Sequence, residues 1–88
     1  MELNILIENI KSKLLNSSFV ENVIIEDKTY LHVKHSSNDK NKFNLKLTIS
    51  SKELKKVSKV NATKQIHNIL HDEIKNYIHS IQILFKQV

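Results

Sequence analysis

The sequence predicts a two-layer α+β fold, and three observations carry that expectation. Apolar residues recur at helical steps near the start of the chain and again over its third quarter. Between these segments and at the end, they alternate at period two or gather in β-branched runs. Each segment is apolar on one side only, so helices and strands must cover one another. With 88 residues there is room for a single core, and 1–88 reads as one domain.

The elements follow in order. Leu3, Leu6, Ile7, Ile10 and Leu14 stand three or four residues apart and describe an amphipathic first helix. Asn16-Ser17-Ser18 ends it, because these side chains favour local bonding to the backbone over helix continuation. Val23-Ile24-Ile25 reads as a first strand reaching about Asp27. The polar stretch 31–42, centred on Ser36-Ser37-Asn38-Asp39, reads as a hairpin loop. Phe43, Leu45, Leu47 and Ile49 then alternate with Asn44, Lys46 and Thr48, which describes a strand with one buried and one wet face.

Ser50 with Glu53 three residues on is the signature of a capped helix start, and a short turn containing Leu54 follows. From about Val57 to Asn76 the pattern is helical. Ile66, Ile69, Leu70, Glu73, Ile74 and Tyr77 share one sector, opposite Lys64, Asn68, Asp72 and Lys75. Ile78 to Phe85 reads as the last strand, so the order is helix, strand, strand, short helix, long helix, strand, that is α-β-β-α-α-β with a three-stranded mixed sheet.

Composition narrows the function classes. The chain is 40% apolar and 26% charged, ordinary for a folded globular protein. Lys, Ile and Asn dominate while Gly, Pro, Trp, Cys and Arg are absent, the mark of an A/T-biased coding sequence. No apolar run approaches the ~18 residues that would span a bilayer. Met1-Glu2-Leu3-Asn4 lacks the features of a signal peptide, so the expected compartment is the cytoplasm, with mitochondrion and nucleus as alternatives. Without cysteine there is no disulfide framework, and any metal chemistry must use histidine. No Ser or carboxylate is framed by a recognisable catalytic motif, which argues against an enzyme.

The net charge of +5 is unevenly placed: lysines crowd residues 34–64, where only Asp39 and Glu53 oppose them. Lys52, Lys55, Lys56, Lys59 and Lys64 cluster about the turn before the long helix and form a candidate surface for a partner or a nucleic acid. A KH module clamps phosphates with a Gly-x-x-Gly loop, which a glycine-free chain excludes. The remaining mode is a nonspecific electrostatic patch, set against the ordinary reading of a solvated face.

Among the histidines, His79 stands in Tyr77-Ile78-His79-Ser80-Ile81, where the helical pattern gives way to the strand. The functional reading is a metal ligand; the bland one is a strand-edge histidine with its ring satisfied. His32 and His35 fall in the polar loop, where a histidine is ordinarily just solvated. His67 and His71 are four apart on a helix, yet the residue a zinc-protease motif needs as Glu is Asn68, so both read as surface residues.

The ordered set of motifs resembles the BolA family across nearly the whole chain. Asp27, Thr29 and His32 stand where the family has an acid closing its first strand, a small hydroxyl residue and a loop His or Cys. Phe43 to Ser51 matches its aromatic-led second strand, and Leu70-His71-Asp72-Glu73-Ile74 matches the Leu-x-x-Glu-Leu/Ile end of its long helix. Ile78-His79-Ser80-Ile81 matches its Ile/Val-His-Ala-Leu signature. Several family features are missing: Ala62-Thr63-Lys64 replaces an Arg-His-Arg run, His67 a following tyrosine, Leu54-Lys55-Lys56 a Phe-x-Gly, and the C-terminal Pro-x-x-Trp is absent. Contacts made through the basic run are therefore not carried over.

The resemblance implies a fold similar to the class II KH domain. It also implies a monomer that pairs with a monothiol glutaredoxin and shares a bridged 2Fe-2S cluster. His79 would be one ligand and His32 the second, with His35 as the alternative, while the glutaredoxin thiolate and glutathione complete the set.

Overall fold

The computed structural model describes residues 2–29 and 42–87. Helix α1 spans Leu3–Leu15 and strand β1 Asn22–Asp27. Strand β2 spans Phe43–Ser51, followed by a 3-10 turn at Lys52–Lys55. Helices α2, Lys59–Ile69, and α3, His71–Tyr77, lead into strand β3, Ile78–Gln87. The α+β order read from the sequence holds, its short helix standing as the 3-10 turn and its long helix as α2 and α3. The sheet is mixed: β2 is central, antiparallel to β1 and parallel to β3.

One face of the sheet meets the helices. Leu45, Leu47 and Ile49 of β2 are buried there with Val23 of β1 and Ile78 of β3. Against them lie Leu6, Ile10 and Leu14 of α1, Ala62 and Ile66 of α2, and Leu70. Completely burying a Leu or Ile side chain stabilises by roughly 1.5–3 kcal/mol before chain entropy is counted, so this shared layer holds the sandwich together. The opposite face keeps Ile24 and Leu84 in solvent.

The link from α1 to β1 is tied to the far end of the sheet. The Ser51 hydroxyl donates to the Phe19 carbonyl at 2.6 Å and accepts from the Glu53 amide at 3.0 Å. Ser51, rather than Ser50, is therefore the cap of the 3-10 turn. A residue in the last β2 pair can serve both strand and turn because its backbone is extended while its side chain faces the incoming amide. The Phe19 and Phe85 rings meet at 6.4 Å between centroids, tilted by 58°.

The helical segment over 57–76 is not one continuous helix. Leu70 departs from helical geometry at φ −100°, ψ 18°, and separates α2 from α3. Acidic Asp72 and Glu73 occupy the first turn of α3, where they complement the positive helix end. Glu73 is buried and meets Lys13 of α1, with Nζ 2.7 Å from Oε2 and 2.9 Å from Oε1. The bend separates His67 from His71, and both stand exposed.

Candidate functional site

His79 is the second residue of β3, directly after α3, and its side chain is exposed. Strand alternation turns the residue after buried Ile78 outward, and a bulge leaves Ser80 exposed beside it before the core face resumes at Ile81. Phe43 pairs with Ile78 and Asn44 with Ser80, so His79 is the extra residue on β3. Two residues on one strand facing one on the other break the ladder locally and re-aim the side chain. Burial follows the same break: Ile78 is buried, and the next residues packed on the core are Ile81, Ile83 and Phe85. The first step is three residues and the later ones two. That irregular spacing is visible in the sequence and could have announced the bulge.

The backbone beside the bulge is fixed by a buried polar residue. Asn44 is only 1% exposed, although the alternation of β2 places it on the wet face. It is covered because two neighbours close over it. Its backbone N–H donates to Thr29 Oγ1 at 3.1 Å, and its side-chain Oδ1 accepts from Ser80 Oγ at 2.5 Å. Thr29 in turn donates from its hydroxyl and, at 3.0 Å, from its amide to Asp27 Oδ1. Neither Asn44 nor Ser80 stood out in the sequence, since the first looked like a solvent-facing strand residue and the second like a substituted signature position.

The other expected site residues are placed unevenly. His32 and His35 lie outside the described residues. Lys52, Lys56, Lys59 and Lys64 are exposed on the 3-10 turn, the residues after it and α2, while Lys55 contributes the last residue of that turn. Ser58 caps α2 by accepting from the Asn61 amide at 3.2 Å, and the helix has no acid in its first turn. Lys59 therefore adds to the positive helix end instead of offsetting it.

The donor set near His79 fits partial coordination of a metal centre. Its imidazole makes no hydrogen bond to a described residue, which leaves the ring nitrogens available. Among the described residues no three His, Asp or Glu side chains converge to hold an ion, and the chain has no Cys. One exposed imidazole can complete a centre whose other donors come from elsewhere. Beside the bulge lies an open hollow of about 290 Å³ lined by Lys28, Asn44, Lys46, Ser80 and Gln82, at the lower edge of the size that small-molecule sites require.

Fold and site together define a small α+β sandwich that presents a metal-competent histidine at a helix–strand seam. The family model described as BolA-like protein matches residues 15–87, and the chain belongs to the BolA family. Similar solved structures include the BolA domain of SufE1 from Arabidopsis thaliana, at TM-score 0.73 and 27% identity, with 91% of this chain and 88% of that chain covered. BolA1 from Arabidopsis thaliana follows at TM-score 0.72 and 21% identity, with the same coverage of 91% and 88%. A bol-like protein from Babesia bovis has TM-score 0.65 and 11% identity over 99% of this chain and 85% of that one. At these identities the latter two carry the fold alone. No curated protein sequence matches the chain significantly. Among the described residues no helix is long and apolar enough to cross a membrane.

Proposed function

We propose that this chain is a non-enzymatic accessory protein of iron–sulfur cluster assembly and iron homeostasis, which shares a bridged 2Fe-2S cluster with a monothiol glutaredoxin. The observation that carries the reading is His79, an exposed imidazole on a bulge with no hydrogen-bond partner among the described residues. Family membership supports it. His79 would donate one ring nitrogen and His32 the second ligand, with His35 as the alternative. The partner's thiolate and glutathione would complete the set that a cysteine-free chain cannot provide. Such a cluster supplies iron, sulfide and electron-accepting capacity, and histidine in place of thiolate raises its potential. The chain's own contribution would be an exposed imidazole nitrogen carried on the bulge at the start of β3. As a complex the assembly would be a heterodimer working in the cytoplasm.

Co-expression with a monothiol glutaredoxin tests this directly. The wild-type pair is expected to copurify with visible absorption that His79→Ala alters or abolishes. An unchanged spectrum and an unchanged complex in that variant would remove His79 from the role.

A second reading rests on the exposed lysines Lys52, Lys56, Lys59 and Lys64, with Lys55 between them, beside an α2 start that no acid offsets. Here the chain would bind nucleic acid through phosphate contacts, with affinity falling steeply as salt rises. Titration of duplex and single-stranded oligonucleotides at two salt concentrations decides it, and no binding at low salt ends that reading. A metal-free protein adaptor is what remains if both tests are negative.

A further inference from the structure

The bulge that carries His79 is held by a side chain that the family signature does not supply. That signature has alanine after the histidine, and this chain has Ser80. The Ser80 hydroxyl donates to Asn44 Oδ1 at 2.5 Å, at the register shift where the ladder between β2 and β3 is interrupted. Asn44 also ties down the exit of β1: its backbone N–H donates to Thr29 Oγ1 at 3.1 Å and its backbone carbonyl accepts from the Lys28 amide at 2.7 Å. Asp27 accepts from Thr29 in turn. A continuous hydrogen-bonded chain thus runs from Asp27 at the base of the hairpin, through Thr29 and Asn44, to Ser80 beside His79.

We infer that Ser80 and Asn44 are positioning residues, a clamp that fixes the His79 bulge against the root of the segment bearing His32. A bulge leaves backbone groups without their regular ladder partners, so it is a natural weak point in a strand. Here the Ser80 hydroxyl adds a side-chain bond between the two strands at the point where the ladder is interrupted. Asn44 is itself 1% exposed, and its Oδ1 reaches the hydroxyl of the exposed Ser80, so removing that hydroxyl removes a side-chain link between β2 and β3 at the register shift. Residue 44 meets the exit of β1 through its backbone and the bulge through its side chain, so a shift of one segment against the other strains these bonds. The consequence for metal binding rests on the proposed cluster function; the clamp itself does not.

The test uses Ser80→Ala, which restores the family residue and is expected to fold, and Ser80→Thr, which keeps the hydroxyl. Amide hydrogen exchange at residues 78–81 is measured in the partner-free protein. Visible circular dichroism is measured on the cluster-loaded complex with a monothiol glutaredoxin and glutathione. Ser80→Ala should accelerate exchange at His79 and Ser80 by about tenfold while leaving Leu47 unchanged, as loss of one local hydrogen bond does. It should also alter the dichroic bands, and Ser80→Thr should return both signals to wild type. Unchanged exchange in Ser80→Ala overturns the clamp. Altered exchange with dichroic bands unchanged, in a complex whose bands do respond to His79→Ala, overturns its positioning role. If His79→Ala itself leaves the bands unchanged, the cluster function fails, and the exchange data alone decide the clamp.

Discussion

The seam at His79 and the basic corner around Lys52–Lys64 both present charged or chargeable groups to solvent, but they are built differently. At the seam one exposed imidazole rides on a backbone pinned by Ile78 in the core and by the Asn44–Ser80 hydrogen bond. At the corner several exposed amines ride on a 3-10 turn and a helix start held by two serine caps. A single ligand needs a defined direction, and buried polar contacts give one. A charged patch acts through its summed field and needs only nearness, so flexible lysines on capped turns are sufficient. The difference separates a candidate site of defined geometry from a candidate of charge alone.

That contrast can be broken most severely from below. Leu47 is fully buried in the central strand beneath both regions, and Leu47→Ala should cost about 3 kcal/mol or more, read from urea unfolding. Seam and corner should then fail together, because they share one support.

Smaller changes should separate them. Ser51→Ala leaves the Phe19 carbonyl and the Glu53 amide without the hydroxyl that joins them, and should cost about 1–3 kcal/mol in the same assay. Ser58→Ala removes only the exposed cap of α2 and should cost about 1 kcal/mol. If the two losses come out equal, the corner draws no extra support from the buried Ser51 anchor.

The smallest effects on stability should be at the surface. His79→Ala, and a variant with Lys52, Lys56, Lys59 and Lys64 all changed to Gln, should each stay within about 0.5 kcal/mol of wild type. They should differ in function. His79→Ala should lose the visible absorption of the glutaredoxin complex, whereas the lysine variant should keep it and lose whatever oligonucleotide binding exists at low salt. A lysine variant that also loses the absorption would show that charge at the corner is needed for docking.

Much of this was legible along the chain. The period-two run from Phe43 to Ile49 and the helical steps from Leu3 to Leu14 name β2 and α1 because burial selects one face at the period of each element. His79 was legible as a candidate because it sits where one period ends and another begins. The division at Leu70 was half-legible: Asp72 and Glu73 mark a helix start, but no glycine or proline marks the end before it. The bend is settled instead by Leu70 in the core and by Glu73 reaching Lys13, sixty residues away in the chain.

By itself, the sequence determined which segments are helix and strand, the sidedness of each, and the candidacy of His79, since all of these depend on neighbours within a few residues. Only the tertiary structure decided that Asn44 is buried, that Ser51 and not Ser50 is the cap, and that Ser80 closes a bulge. The first and last depend on bonds between residues distant in sequence, such as Asn44 with Ser80, and the choice of Ser51 is reinforced by its bond to Phe19. A linear pattern carries no record of which donor will meet which distant acceptor.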